Sequence, residues 1–302
     1  MSAGGERPPS VEEHVPLSRH TTIGTGGPAR WFARAASVEE LIELIAWADS
    51  DGLPIAPIGL GSNLLVADEG FPGLALKLVG ALAGVEVDGG RIVAGGGAPL
   101  AVCLHRARAA GLGGLEFACA IPGSAGGGVW MNAGAYGRDI AAVLARALVA
   151  DVAGHRWLTP AELGFRYRRS LLRPGQVVAS AEFQLEPRPG EAIKASVAEL
   201  QAKRKAAQPT NRRTFGSVFK NPSHELTAGR MLDACGLRGY AIGGARISPK
   251  HANFIENDGG ARSEDALALI AEARRRALAE FGVVLEPEVQ LLGPIAVPPI
   301  GH

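Results

Sequence analysis

The sequence predicts an α+β protein built in two parts, and three observations support this prediction. Up to about residue 190, short apolar runs typical of strands mix with helical repeats, and glycines separate them. The segment Pro187-Arg188-Pro189-Gly190 then interrupts the pattern. Beyond it, two amphipathic helical patterns and short strand-like runs predict a second, smaller α+β unit.

Length and composition agree with two globular domains. The chain has 302 residues, of which 47% are apolar and 20% charged, so a sizeable core can form and extended disorder is excluded. Lys and Arg total 31 against 30 Asp and Glu, which argues against a nucleic-acid partner. The 41 glycines and few aromatic residues indicate main chain packed closely against a ligand, often one that carries phosphate.

Cysteine usage and the chain's start predict a cytoplasmic protein. Cys103, Cys119 and Cys235 are odd in number and form no CxxC pair, so neither a disulfide framework nor a zinc site is expected. The first residues lack the apolar stretch of a signal peptide, and no run is long enough to span a membrane. Residues 1–12 and 296–302 are interpreted as loose tails.

The elements of the first part follow from local signals. A capping box at Ser37-Val38-Glu39-Glu40 opens a helix, and Asp51-Gly52 ends it. The other predicted elements are a strand at 53–58, a hairpin with arms 85–87 and 91–93, a helix at 99–110, strands at 146–152 and 176–185, and a capping box at 159–162.

The second part carries two helical patterns. Ile193, Val197 and Leu200 share one helix face, and a longer pattern runs from Ala266 to Phe281 with Gly282 at its end. Runs at 283–285 and 289–291 are strand-like. We therefore predict one domain over 13–190 and another over 191–295.

Two glycine-rich stretches are candidate cofactor sites. Gly59 to Leu65 follows a predicted buried strand, and its main-chain N–H groups could approach an anion; a plain tight turn is the alternative. It matches neither the Walker loop nor the GxGxxG fingerprint. The stretches 121–128 and 131–137 lie close together and suggest a long main-chain groove that fits a dinucleotide, or else two ornate loops.

Basic and polar motifs supply candidate substrate contacts. The segment 165–170 contains three arginines and two aromatic residues, and arginine suits contact with a carboxylate or phosphate; a solvated basic stripe is the alternative. The basic segment 203–220 contains no acid, so it suits a small phosphorylated ligand. A serine hydrolase is disfavoured because the Gly-Ser at 216–217 is not a GxSxG elbow. No histidine pair has metal-ligand spacing, so we expect no catalytic metal.

Together and in this order, these stretches resemble one family, the UDP-N-acetylenolpyruvoylglucosamine reductases. The resemblance runs from His20-Thr21-Thr22 to Glu288-Val289 and includes the segments 121–124, 131–137 and 250–254. It implies a two-lobed FAD-binding domain of the vanillyl-alcohol-oxidase type, with a lobe boundary near 75–80, followed by a substrate domain. The short distance between Ser170 and Val177 makes the chain similar to the shorter, type II form of the family.

The resemblance also implies chemistry. NADPH would reduce a non-covalently bound FAD, which would then reduce an enolpyruvyl ether of a UDP-sugar in peptidoglycan precursor synthesis. Arg168 would hold the substrate carboxylate, Ser217 would donate the proton and Glu288 would help to place these groups. The implied flavin contacts are Gly59, Gly61, Ser62, Asn63, Leu64, Gly123, Ser124, Gly127, Asn132, Ala133, Gly134 and Ala135. The implied substrate contacts are Tyr167, Arg204, Lys220, Asn221, His251 and Asn253.

The sequence departs from the family pattern at Ala120, Ala207 and Thr214-Phe215. Two other functions stay open at this stage. A flavin oxidase of the same fold could attach its flavin covalently through Cys119 or His105, and a non-catalytic protein could merely bind a nucleotide sugar. The expected partner is a small molecule, with neither nucleic acid nor membrane, and a monomer is favoured.

Overall fold

The structure is a computed structural model and describes residues 6–299. It contains seven α-helices within that range: α1 Val38–Ser50, α2 Leu100–Ala109, α3 Ala125–Met131, α4 Pro160–Leu163, α5 Gly190–Ala207, α6 Ala228–Ala234 and α7 Ser263–Phe281. No helix in this part of the chain is both long and apolar enough to cross a membrane.

The same residues form nineteen strands. They are β1 Glu12–Pro16, β2 Pro28–Ala35, β3 Ile55–Pro57, β4 Leu64–Val66, β5 Phe71–Leu78, β6 Val85–Asp88, β7 Arg91–Gly95, β8 Leu112–Gly113, β9 Gly134–Ala135, β10 Arg138–Asp139, β11 Leu144–Asp151, β12 Gly154–Leu158, β13 Val177–Gln184, β14 Glu186–Pro187, β15 Arg213–Ser217, β16 Ala241–Ile242, β17 Ala245–Ile247, β18 Phe254–Asn257 and β19 Gln290–Leu292.

The chain divides into two compact units that are not continuous in sequence. The first unit comprises residues up to His14, Arg30–Leu60 and Pro72–Arg204. The second comprises Val15–Ala29, Gly61–Phe71 and the chain from Lys205 onward.

The first unit is built on two sheets. One has the strand order β1-β2-β5-β3, and the other is an antiparallel sheet of order β12-β11-β13-β7-β6. Helix α1 packs against β11, and α3 packs against β13 in a second core cluster, so β13 is buried along nearly its whole length. This explains why its sequence, VVASAEFQ, is a nearly continuous run of small and apolar residues.

The second unit packs two helices onto an antiparallel sheet of order β15-β18-β17-β16. Its core joins Phe215 and Ile255 of the sheet to Leu269 and Ile270 of α7. Helix α7 begins where both carboxylate oxygens of Asp68 accept hydrogen bonds from the main-chain N–H groups of residues 263 and 264, at 2.9 and 3.0 Å. A parallel pair, β4 with β19, also belongs to this unit.

Most predicted elements of the first part are confirmed. Helix α1 begins after the Ser37 cap, and the Oγ of Ser37 accepts a hydrogen bond from the Glu40 N–H at 3.2 Å. The hairpin of β6 and β7 and the capping box that opens α4 are also present. In the second part, α7 ends directly before Gly282, as predicted, and Gly282 is in the left-handed conformation.

Two predictions for the second part differ from the structure. Residues 283–285 form no strand, because Leu285 is buried in the core of the second unit and its carbonyl accepts a hydrogen bond from Arg274 Nε at 3.1 Å. The next predicted strand begins one residue later, at Gln290.

The division into units also differs from the predicted domains. Helix α5 is continuous, and its Ile193 and Val197 complete the core of the first unit, so the division falls after Arg204 rather than near 190. Residues 15–29 and 61–71 join the second unit because Ile23 and Leu65 lie in its core.

The described parts of the two predicted tails are anchored. Val11 is buried, Arg7 pairs with Glu13, and Pro298 accepts a hydrogen bond from Arg274 Nη1 at 2.8 Å. Residues 1–5 and 300–302 of these tails lie outside the described range.

Candidate flavin and active-site residues

The second glycine-rich stretch opens helix α3 in the first unit. Ser124 is the N-cap, and its Oγ accepts a hydrogen bond from the Gly127 N–H at 3.2 Å. Gly59 lies so close that a methyl group added there would stand 2.5 Å from this Oγ. The close approach favours glycine at position 59, and it brings the start of the first glycine-rich stretch against the second.

Asn132 shapes the turn that follows α3. Its backbone is left-handed, with a φ of 42°, and its amide donates to Asp139 Oδ2 at 3.1 Å and to the Arg166 carbonyl at 3.2 Å. Its Oδ1 accepts from the Ala141 N–H at 2.9 Å. The Asn132 side chain thus ties the end of α3 to the Arg166 turn and to residues 139–141, and its predicted flavin contact stays a prediction.

Arg168 lies at the tip of a tight turn in which Arg166 and Arg169 exchange main-chain hydrogen bonds. Its φ of 54° is in the left-handed region, and its Nη2 donates to the Gly134 carbonyl at 2.6 Å. Ser170 Oγ also donates to the Trp130 carbonyl at 2.7 Å. The predicted carboxylate-binding arginine is thereby fixed beside a predicted flavin-binding segment.

Tyr167 and Gly123 complete the predicted residues of this region. The Arg168 guanidinium carbon lies 4.9 Å from the centre of the Tyr167 ring, which is itself exposed. The Gly123 carbonyl accepts a hydrogen bond from the Leu100 N–H at 2.9 Å, so it serves the start of α2.

The side chain of Arg204 has a buried nitrogen, Nε, that could donate a hydrogen bond to a ligand or a water molecule. Its Nη1 donates weakly to the Cys119 carbonyl at 3.4 Å, while its Nε finds no hydrogen-bond partner among the described residues. Tyr136 donates its hydroxyl to the Leu200 carbonyl at 3.1 Å, and burial raises the pKa of both the Tyr136 phenol and the Cys119 thiol. A buried unsatisfied guanidinium N–H costs stability unless an acceptor occupies the site.

In the second unit, the loop at Gly61 rests on the motif His20-Thr21-Thr22. Gly61 has a φ of +67°, and a methyl group there would lie 1.9 Å from the His20 carbonyl oxygen. The Thr22 N–H donates to the Gly61 carbonyl at 3.1 Å, and its Oγ1 donates to the Thr214 carbonyl at 2.6 Å. Sequence reasoning gave Thr22 no role, although it links the glycine loop to β15.

The same loop contacts the main chain at Gly216, next to Ser217, and at Glu288. Gly216 directly precedes Ser217, and a methyl group on Gly216 would lie 3.3 Å from the Ser62 carbonyl oxygen. Asn63 Nδ2 donates to the Glu288 carbonyl at 3.1 Å, and the Glu288 N–H donates to the Val218 carbonyl at 2.8 Å. Leu64 then begins β4, which pairs with β19 just beyond Glu288.

The basic segment 203–220 is less positive than its sequence suggests. Lys203 Nζ lies 2.6 Å from Glu199 Oε1, and Lys220 Nζ lies 2.6 Å from Glu286 Oε1. Arg212 lies 3.5 Å from Glu256, whose side chain is almost fully buried. Glu199 lies four residues before Lys203 on the same helix, whereas Glu256 and Glu286 come from distant parts of the chain that a local reading of the segment does not include.

Three other predicted substrate residues have internal partners. Asn221 Oδ1 accepts from the Ala228 N–H at 3.2 Å, at the start of α6. His251 Nδ1 accepts from the Asn253 N–H at 3.2 Å, and burial lowers the His251 pKa, an effect that nearby Arg238 strengthens. The Asn253 amide bonds the main chain of Phe219, and Asn253 is 5% exposed. Its predicted substrate contact stays a prediction.

Of the three sequence departures, only the one at Thr214-Phe215 has a structural explanation, and it concerns Phe215. Phe215 is fully buried and anchors the core of the second unit. Nothing in the structure explains Ala120 or Ala207.

The predicted residues thus fall into two groups, one in each unit. The first unit holds Arg168 with the stretch around Ser124 and Gly134, and the second holds Ser217 and Glu288 with Gly61, Ser62 and Asn63. Each group joins a predicted catalytic residue to a predicted flavin-binding segment.

Comparison with known proteins matches this organisation. A family model described as an FAD binding domain matches residues 29–157, and one for the C-terminal domain of UDP-N-acetylenolpyruvoylglucosamine reductase matches residues 208–292. These matches define the class of protein as an FAD-dependent oxidoreductase, and they confirm the predicted α+β fold with an FAD-binding domain before a smaller C-terminal domain.

Relatives of full length identify the family. UDP-N-acetylenolpyruvoylglucosamine reductase 2 of Symbiobacterium thermophilum is 43% identical over 95% of this chain and 93% of its own. The Bacillus licheniformis reductase is 41% identical, with 94% of each chain covered. A crystal structure of the reductase from Thermus caldophilus has a TM-score of 0.82 at 38% identity and covers 93% of this chain and 98% of that one. The chain belongs to the UDP-N-acetylenolpyruvoylglucosamine reductase family.

Proposed function

We propose that this protein uses NADPH and FAD to reduce the enolpyruvyl ether of UDP-N-acetylglucosamine to UDP-N-acetylmuramate. The observation that carries the proposal is the pairing of catalytic and flavin-binding segments within each unit. Arg168 bonds the Gly134 carbonyl in one unit, and Asn63 bonds the Glu288 carbonyl in the other.

The residues present fit a dinucleotide cofactor. A methyl group at Gly59 would overlap Ser124, and one at Gly61 would overlap His20. The main chain here is closely packed and has no side chains at these two positions, as in loops that bind phosphate through main-chain N–H groups. Gly127 is exposed at the start of α3. When bound, FAD supplies the means to pass a hydride from NADPH to the substrate.

Arg168 would hold the substrate carboxylate. Hydride addition at the terminal carbon of the vinyl ether places negative charge on the carboxylate side as an enolate, and a guanidinium stabilises that charge best when it is already fixed in place. The hydrogen bond to Gly134 and the left-handed turn fix Arg168 in this way.

Ser217 would donate the proton to the enolate carbon. A serine hydroxyl is a weak acid, so its contribution depends on being held against that carbon. Gly216 has a φ of +80° that an ordinary residue adopts at a cost, and the conformation sets the direction in which Ser217 leaves β15. Glu288, bonded through its N–H to Val218, would help to place the reacting groups.

The nucleotide part of the substrate would bind basic and polar side chains. Arg204, with its unpartnered buried Nε, is the strongest candidate for a diphosphate oxygen. Tyr167, Lys220, Asn221 and His251 would supply further contacts. The product is a precursor of peptidoglycan, so the protein would act in cell-wall synthesis, and hence in cell shape and division, as a cytoplasmic monomer.

The two half-reactions test the proposal. Purified protein should show flavin absorption at about 370 and about 450 nm. NADPH should bleach it without oxygen, and the enolpyruvyl sugar nucleotide should restore the colour. Ser217→Ala should leave bleaching unchanged and slow the return by about 100-fold or more. Colourless protein that takes up no FAD would rule out the proposal, and unchanged return would rule out Ser217 as the acid.

Attachment of the flavin is tested separately. His105 is exposed on α2 and Cys119 lies beside Arg204, and the proposal gives neither a covalent role. Acid precipitation should therefore release the flavin into the supernatant. Flavin that stays in the pellet would favour a covalent flavin oxidase instead.

A further inference from the structure

We infer that Asn253 is a positioning residue for the proposed reaction: its side-chain amide holds the main chain of Phe219, and so fixes Ser217 relative to Glu288. The inference rests on the proposed function for its catalytic readout. Its structural basis lies entirely within the second unit.

The main chain of Val218 and Phe219 is fully hydrogen-bonded, largely by one residue. Phe219 N–H donates to Asn253 Oδ1 at 2.9 Å, and Asn253 Nδ2 donates to the Phe219 carbonyl at 2.9 Å. Val218 N–H donates to the Asn253 carbonyl, also at 2.9 Å. The remaining group, the Val218 carbonyl, accepts from the Glu288 N–H at 2.8 Å.

These hydrogen bonds lie just beyond the end of the pairing between β15 and β18. The pairing of β15 with β18 has a register shift between Thr214 and Ser217, and regular strand pairing ends at Ser217 opposite Phe254. Beyond that point the amide of Asn253 replaces a strand neighbour, because an amide presents one donor and one acceptor much as a backbone residue does.

The other side of the segment is bound to residues 286–288. Phe219 forms a bridge with Pro287, and Lys220 N–H donates to the Glu286 carbonyl at 3.0 Å. The segment 218–220 therefore lies between Asn253 and residues 286–288. Loss of the amide contact would free one side of it and let Ser217 and Glu288 shift relative to each other.

His251 in turn orients Asn253. Its Nδ1 accepts the Asn253 N–H, and its ring packs edge-on against Phe254 with centroids 5.0 Å apart. The contact is tight, because a methyl group on Gly229 would lie 2.7 Å from His251 Cε1. Asn253 itself is 5% exposed, so its amide has no easy alternative in water.

Asn253→Asp is the sharpest test, because its effect should depend on pH. An ionised aspartate can accept from Phe219 N–H but cannot donate to the Phe219 carbonyl, whereas the protonated acid can do both. At pH 8 we expect substrate-driven flavin reoxidation to be about 10- to 100-fold slower than in the unmodified protein. Bleaching by NADPH should be unchanged.

As the pH falls, the variant should recover. Burial and the facing Phe219 carbonyl both favour the protonated acid, so recovery should occur above the ordinary aspartate pKa of about 3.9. The bonded segments also carry the ionisable side chains of His251, Lys220, Glu286 and Glu288, so each rate is divided by that of the unmodified protein at the same pH. Asn253→Ala should be slow at every pH, because it can neither accept nor donate.

Asn257→Asp is the matched control. Asn257 is the last residue of β18, the strand that begins directly after Asn253. Its Nδ2 also donates to a main-chain carbonyl, that of Ile23, at 2.9 Å. This control should lose stability without slowing reoxidation. A further readout needs no cofactor: the Phe219 amide should exchange its hydrogen faster in Asn253→Ala than in the unmodified protein, at equal fraction folded.

The results of these experiments distinguish a failure of the Asn253 inference from a failure of the proposed function. Reoxidation at the normal rate in folded Asn253→Asp at pH 8, or equal slowing in Asn257→Asp, would overturn the inference. Slowing that does not recover at low pH, in protein whose urea transition shows it folded, would also overturn it. If the unmodified protein bleaches but the sugar nucleotide never restores its colour, the proposed function fails instead, and Phe219 exchange still tests the amide contact.

Discussion

At the scale of single residues, two glycines with nearly the same backbone φ differ in how closely other atoms pack against them. Gly52 and Gly61 both have a φ near +65°, at +63° and +67°. A methyl group on Gly52 would meet nothing within 4 Å, whereas one on Gly61 would meet the His20 carbonyl oxygen. Only the second position combines left-handed backbone with close packing.

This pair gives a direct prediction for stability. Gly52→Ala should lower the free energy of unfolding by about 1 kcal/mol, the cost of left-handed backbone for an L-residue. Gly61→Ala should lower it by about 3 kcal/mol or more, because it adds a clash with main chain that cannot move aside. Urea unfolding of both variants measures the difference. Equal losses would show that the loop relaxes around the added methyl group.

At the scale of elements, helix α7 shows how one acidic side chain contributes to stability. Glu272 accepts hydrogen bonds from Arg275 Nε and Nη2, each at 2.8 Å, and from Arg276 Nε at 2.7 Å. These bonds, first that from Arg275, lower the Glu272 pKa to about 2. A carboxylate stabilised in the folded state contributes stability above its unfolded pKa and loses it as the pH falls towards the folded value.

Glu272→Gln should therefore destabilise the protein in a pH-dependent way. We expect a loss of about 1 kcal/mol at pH 7, since the arginines are partly exposed and water screens the pairs. The difference from the unmodified protein should shrink as the pH falls from 4.5 to about 2. Arg276→Gln keeps the Arg275 bonds and should show a smaller effect of the same sign. A loss that stays constant across this range would contradict the assignment.

The elements also show what local sequence can predict. Helix α1 and the α4 turn were predictable because capping boxes are complete within four residues. The start of α7 depends on Asp68, far away in sequence, and the apolar run at 283–285 fills a core instead of pairing as a strand. Capping boxes can be recognised in a short stretch of sequence, whereas the Asp68 cap and the burial of Leu285 depend on contacts that form only on folding.

The candidate site divides in the same way. Glycine-rich stretches and the residue types at 168, 217 and 288 were visible in the sequence. The internal use of Asn132 and Asn253 was not, because an asparagine that binds main chain looks the same in sequence as one that binds ligand. Glu256 and Glu286, the distant acids that pair with Arg212 and Lys220, were equally hidden.

At the scale of the whole molecule, each unit has its own core. Phe183 is fully buried in the first unit and Phe215 in the second. The residues that build the second unit come from three separate stretches of chain, so its core gathers Ile23, Leu65 and Leu285 from distant positions. Damage to one core should consequently be felt mainly within its own unit.

Hydrogen exchange tests this expectation. Phe183→Ala and Phe215→Ala should each cost about 3–5 kcal/mol, the usual range for removing a buried phenylalanine ring. Faster exchange should be concentrated in 72–204 for the first variant and in 205–299 for the second. Equal acceleration in both ranges for either variant would mean that the units open together.

The parallel pairing of β4 with β19 has a consequence for how the protein is made. Leu64 pairs with Gln290, so a loop made early by the ribosome obtains its neighbour only when synthesis is nearly complete. A nascent chain would carry this strand edge uncovered through most of its translation. Premature termination before residue 290 would leave Leu64–Val66 without that partner, however much of the flavin-binding sequence had already emerged.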